Sequence, residues 1–139
     1  MHDKECVDPE VLAELRSLDP MGEVLPTLFA QFLVETPQRL TAMRKALTQG
    51  DTTGLADTAH ALKGSSGNMG AVCMLNLCND LEAVCRASDL TAVKRLLDCL
   101  ESDFALVRVV LLQEQDRLNS IRLSSQFLVK IESRPTNGK

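Results

Sequence analysis

Between Val93 and Leu111 the residues Val93, Leu97, Leu100, Phe104, Val107 and Leu111 recur every three or four positions, and the series extends to Leu118. That spacing lines one face of an α-helix; a strand would alternate every two residues. The same period governs Leu25, Phe29, Phe32, Leu40, Met43 and Leu47, then Leu55, Ala59, Leu62, Ser66 and Met69, then Met74, Cys78, Leu81 and Cys85. A chain with this one period almost throughout buries its apolar stripes by packing helix on helix. Four Phe with no Trp or Tyr are too few for a β-sandwich or for a base-stacking surface.

The residues between the stripes mark where helices start and stop. Asp8 with Pro9 reads as the cap and first residue of a short N-terminal helix reaching Leu18. Pro37 interrupts the second stripe, but the stripe continues past it, so one kinked helix is expected. Gly50 stands where a helix ends in the left-handed conformation, and Asp51 caps the next. Gly70 is placed to end the helix carrying Leu62, and Ser88 or Asp89 can cap the last one. Connections this short make neighbouring helices antiparallel. The expected fold is all-α: an antiparallel up-down-up-down four-helix bundle with an additional short N-terminal helix and a long last helix, occupying residues 1–118. Residues 119–139 read as a basic tail, frayed helix or disordered, because Phe127, Val129 and Ile131 alternate like a strand with no sheet to join. No seam for a second copy is evident, so a monomer is expected.

The charge is divided. Residues 117–139 hold five Lys/Arg and one Glu, whereas residues 1–116 hold ten basic and eighteen acidic residues. A body this acidic is not a nucleic-acid binder. The acidic start, MHDKECVDPE, is not a secretory signal, and no run of about 18 apolar residues can span a membrane. A free-standing cytoplasmic protein is the expectation. The five cysteines, Cys6, Cys73, Cys78, Cys85 and Cys99, form no CxxC pair and have no histidine at zinc spacing. They read as reduced core thiols in a reducing compartment, and no metal site is expected.

One segment is anomalous: Ala59-His60-Ala61-Leu62-Lys63-Gly64-Ser65-Ser66-Gly67-Asn68-Met69-Gly70. His60 lies one step off the core stripe, so it points sideways or outward. Ala56, Asp57, Lys63, Gly64 and Gly67 share its face. Two glycines inside a helix cost about 2 kcal/mol relative to alanine. A bald patch around an imidazole admits a second macromolecule, or a neighbouring helix backbone, at very close range. Free imidazole, with a pKa of about 6.5, offers one nitrogen for attack while the other holds a proton. Lys63, one turn on, is placed to stabilise negative charge on a group carried by that ring. Nothing completes a hydrolase triad, and Gly64-Ser65-Ser66-Gly67 is not a nucleotide-binding loop. If His60 reacts, the partner brings the rest of the site. Ser66 lies on the core stripe and is expected to bond back to a backbone carbonyl.

The run Ala59-His60-Ala61-Leu62-Lys63-Gly64-Ser65-Ser66, followed by Asn68-Met69-Gly70-Ala71, resembles the signature of histidine phosphotransfer (HPt) domains. Gly50-Asp51 upstream and Leu77-Cys78 with Leu81-Glu82 downstream stand in the family's order, and the resemblance spans roughly residues 8–112. It implies a carrier in a multistep phosphorelay, with an exposed histidine on the second helix of a four-helix bundle. His60 would take a phosphoryl group from an aspartate of one receiver domain and pass it to another. Lys63 would stand beside that phosphoryl group, and Gly64 would let the receiver approach. Ala56, Asp57 and Gly67 would complete the docking face. The implied partners are response-regulator receiver domains and a hybrid sensor histidine kinase. The protein itself would need no cofactor; Mg2+ would sit on the receiver. It would be a carrier, not an enzyme.

Two other readings start from the same residues. A helical adaptor would dock receiver or kinase domains without carrying phosphate, but such adaptors usually lose the histidine, and His60 is present. A metal site on Asp57 and His60 would have too few ligands.

Overall fold

The computed structural model describes residues 6–132. They form five helices: α1 (Pro9–Leu18), α2 (Leu25–Gln49), α3 (Thr52–Asn68), α4 (Val72–Arg86) and α5 (Leu90–Glu132). There is no strand among the described residues. The protein is all-α, as the single period requires.

Each helix begins and ends for a local reason. The Asp8 carboxylate accepts the Glu10 N–H at 2.9 Å, with Pro9 in the first turn of α1. Asp51 accepts the Gly54 N–H at 2.9 Å to start α3, and Asp89 accepts the Ala92 N–H at 3.1 Å to start α5. The start of α2 has no cap in its own sequence. The buried carboxylate of Asp19 reaches forward instead and accepts the N–H groups of Glu23, Val24 and Leu25 at 2.8–3.0 Å. Gly50 closes α2 and Gly70 follows α3, both with positive φ, 69° and 74°. At Gly70 space is also limiting, since an added Cβ would stand 3.0 Å from the Val11 Cβ of α1. Pro37 lies inside a single continuous α2. Just before it, the Thr36 hydroxyl donates to the Phe32 carbonyl at 2.7 Å, giving a buried hydroxyl its partner.

The core follows the stripes. Phe29, Met43, Leu55, Leu62, Met74, Leu81, Leu97, Leu100, Leu111 and Leu118 are all fully buried. The rings of Phe32 and Phe104 meet edge to face, 6.2 Å between centroids. α2 packs on α3, α3 on α4, α4 on α5, and α5 on α2, so the four helices close a ring around these side chains. Arg44 on α2 pairs with Asp98 and Glu101 on α5, the latter at 2.7 Å. α1 starts at the α3–α4 turn, where Asp8 N–H donates to the Gly70 carbonyl at 2.8 Å. Further along, Arg16 makes two 2.7 Å hydrogen bonds to Glu114 of α5. Those bonds hold the Glu114 carboxyl down to about 2, well below the ordinary carboxylate range, although burial opposes them; Arg117 adds a third.

Three sequence expectations are corrected. Cys6 and Cys73 are not reduced thiols but a disulfide, with Cα atoms 4.7 Å apart. Only Cys78 and Cys85 are buried free thiols, and Cys99 is exposed. The pairing was not legible because 67 residues separate the two cysteines and tertiary packing alone brings them together. The hydroxyl that bonds back to a carbonyl is that of Ser65, to Leu62 at 3.2 Å, whereas the buried Ser66 Oγ has no partner. Residues 119–132, where a frayed helix or disordered tail was expected, continue α5 without a break, and the polar end from 133 onward lies outside the described residues.

Two measurements check this architecture. Loop closure predicts that reducing the Cys6–Cys73 bond costs about 4 kcal/mol. Thermal melts should therefore drop by roughly ten degrees or more in dithiothreitol for the wild type but not for Cys6→Ser; equal melts would contradict the staple. Glu114 is lowered in the folded state, so its stabilisation is complete above the ordinary value of 4.5 and is lost as pH falls toward about 2. Glu114→Gln should cost about 1.5–3 kcal/mol at pH 7 and flatten that acid limb in denaturant titrations.

Candidate functional site

α3 carries the anomalous segment between α2 and α4. Its buried face is Leu55, Ala59, Leu62 and Ser66, which turns the residue after Ala59 out of the core. His60 is 70% exposed. Its Nδ1 lies 3.1 Å from Glu82 Oε2 on α4, and Lys63 Nζ lies 2.7 Å from Glu82 Oε1. One carboxylate thus bridges both residues that the sequence singled out. Hydrogen bonding from Lys63 lowers the Glu82 carboxyl; burial opposes this, and the His60 bond reinforces it. An ionised carboxylate only accepts, so Nδ1–H is the donor, and in the neutral imidazole this leaves the lone pair on Nε2.

Glu82 is the residue of this face that sequence reasoning missed. Its signal was present: it follows buried Leu81 just as His60 follows buried Ala59. What the sequence lacked was the register of α3 against α4, which sets residues 60 and 82 side by side. Arg39 of α2 was also missed. Its guanidinium donates to Ser65 Oγ at 3.1 Å and pairs with Glu35 at 3.7 Å, bringing a cation to the edge of the same face.

The other expected residues separate. Around Gly64 nothing lies within 4 Å of where a Cβ would stand, so this glycine is open to an approaching surface. Gly67 is different: a Cβ there would meet Leu75 Cδ1 of α4 at 3.1 Å, so its smallness serves the close approach of α4. Ala56 is half-buried against the core, and Asp57 is exposed. The Asp57 side chain makes no hydrogen bond or ion pair among the described residues, and the ring is held by Glu82 instead. That arrangement gives no support to an Asp57–His60 metal pair.

The geometry is that of an imidazole presented in one tautomer, beside a lysine, on an uncluttered helix. Residues 27–119 match the Hpt domain family, and the chain belongs to it. It is a histidine phosphotransfer protein of two-component signalling. The crystal structure of histidine-containing phosphotransfer protein B (HptB) from Pseudomonas aeruginosa superposes with a TM-score of 0.76 at 36% sequence identity, covering 81% of this chain and 96% of that one. No curated protein sequence matches the chain.

The tautomer is directly testable. Nitrogen-15 NMR of the wild type at pH 8 should show the Nδ1–H form of His60 predominating. Glu82→Ala should move it toward the Nε2–H form that free imidazole favours. An identical tautomer ratio in both would remove Glu82 from the site.

Proposed function

We propose that His60 is the phosphoacceptor of this phosphotransfer protein, taking a phosphoryl group from a receiver-domain aspartate and returning it to another. The observation that carries this is the Glu82 carboxylate on Nδ1, which leaves the nucleophilic lone pair on Nε2 of a largely exposed ring.

In the forward step the Nε2 lone pair attacks phosphorus, the N–P bond forms and the P–O bond to aspartate breaks, freeing that carboxylate. Nδ1 keeps its proton throughout. The ring becomes cationic as the bond forms, and Glu82 stabilises that charge across 3.1 Å. Lys63 turns toward the phosphoryl oxygens or stays on Glu82, supplying a positive charge in either place. A loose, in-line phosphoryl transfer asks chiefly for positioning and charge neutralisation. The magnesium ion belongs to the receiver, and this chain supplies no cofactor of its own. It is a carrier whose chemistry the partner completes.

Gly64, Ala56 and Asp57 form the approach to the ring. The shallow groove between α2 and α3, lined by Leu28, Phe32, Ser65 and Met69 among others, continues that face. The reading includes an up-down-up-down arrangement of α2–α5, supported by connections of two or three residues between them. It includes partners of two kinds, receiver domains and a hybrid sensor histidine kinase, and a place in the cytoplasm. No helix among the described residues is long and apolar enough to cross a membrane.

Incubation with a phosphorylated receiver domain tests the assignment. Label should reach the wild type in an acid-labile, alkali-stable form and should not reach His60→Gln. Gly64→Leu should slow transfer at least tenfold with unchanged helicity, because a side chain there meets only the partner. Uptake by His60→Gln overturns the site. Binding without transfer, across several receivers, would make the chain a docking adaptor.

A further inference from the structure

Past Leu118 the apolar face of α5 changes sides. Up to that point the buried residues Leu100, Phe104, Val107, Leu111 and Leu118 hold one face against the bundle. At about 100° per residue, Leu123, Phe127 and Ile131 stand roughly 140–220° round the helix from Leu118, and Leu128 at about 280°. These four are 47–64% exposed. The side that faces back toward the body carries Arg122, Ser125, Gln126 and Val129, which with Lys130 at their margin and Met21 and Glu23 line an open crevice of about 530 Å3. The extension's apolar face therefore cannot be covered by its own bundle. The family match ends at residue 119, and the helix continues beyond it to residue 132.

We propose that residues 116–132 form an antiparallel seam with a second copy of this chain. Ser120 and Ser124 lie within the exposed face and let two helices come close. The charges on either side of its midline select the direction. With a two-fold axis near residue 124, Asp116 of one copy stands beside Lys130 of the other. Arg117, which also bonds Glu114 of its own chain, stands beside Glu132 of the other. Measured from Leu118, Asp116 (about 160°) and Lys130 (about 120°) lie on one side of the face's midline and Arg117 (about 260°) and Glu132 (about 320°) on the other, and in antiparallel pairs like sides meet. A parallel pair forms neither contact, because residues 116 and 130 are about 21 Å apart along the helix. This replaces the monomer expected from the sequence.

Dimerisation leaves His60 open. Asp103 of α5 is level with the start of α4, where its carbonyl lies 3.8 Å from Cys6 Sγ. The extension begins about 24 Å further along α5 from there. His60 lies on the other side of the α3–α4 turn from the extension. A dimer presents two such sites at its far ends. The inference is independent of His60 chemistry.

Sedimentation velocity on the full chain in the Cys99→Ser background, which removes adventitious crosslinking through the exposed thiol, should show a concentration-dependent dimer. Phe127→Glu should raise its Kd at least tenfold while leaving helicity and phosphoryl uptake unchanged. Asp116→Lys and Lys130→Asp should each weaken it, and the double variant should recover. On mild oxidation, Ser124→Cys should crosslink between copies and Ser120→Cys should not. A monomer at all concentrations overturns the proposal. So does a dimer indifferent to Phe127→Glu, or equal crosslinking at positions 120 and 124. A monomer that co-sediments with phosphatidylglycerol–phosphatidylcholine vesicles would assign the face to an anionic lipid surface instead.

Discussion

The buried stripe of α5, from Val93 to Leu118, is the surface on which the other helices depend. α2 and α4 flank it directly, and α3 closes the ring by lying between those two. α1 reaches it through the two hydrogen bonds from Arg16 to Glu114. Such a pair contributes less by attraction than by geometry, because a carboxylate this buried is tolerated only when its oxygens are fully met. α1 is thereby fixed over the α3–α4 turn, where Gly70 leaves it just enough room.

The helix that carries His60 gains precision from its neighbours rather than from its own propensity. α3 accepts glycine at positions 64 and 67, a loss for an isolated helix. Packing between α2 and α4 compensates, and the two glycines divide the work. Gly67 lets α4 approach closely, and that closeness brings Glu82 within reach of both His60 and Lys63. Gly64 leaves the outer surface bare.

Much of this was legible in the chain. The helix boundaries at Asp8, Gly50, Asp51, Gly70 and Asp89 follow from local chemistry, since each cap or turn is made within a few residues. His60 was legible as an outward histidine because its offset from Leu55, Ala59 and Leu62 depends only on helical period. Asp19 was not, because its carboxylate caps a helix starting six residues later and looked like part of a loop. Glu82 was not, although the residue itself lay in plain sight. The alternation of Phe127, Val129 and Ile131 suggested a strand, but these residues continue a helix in which Phe127 and Ile131 point away from the body while Val129 lines the crevice on the opposite side.

What the amino-acid sequence determined by itself is therefore everything set by spacing along one helix: the all-α class, the core stripes, the caps, the bald face around His60. These are short-range consequences of a 3.6-residue period and of φ preferences. Only the tertiary structure decided what depends on the register between helices: the shared Glu82 carboxylate, the Cys6–Cys73 bond, and the different duties of Gly64 and Gly67. Register is set by how side chains from distant segments interlock, and sequence separations of 22 and 67 residues leave no local periodicity from which to read it.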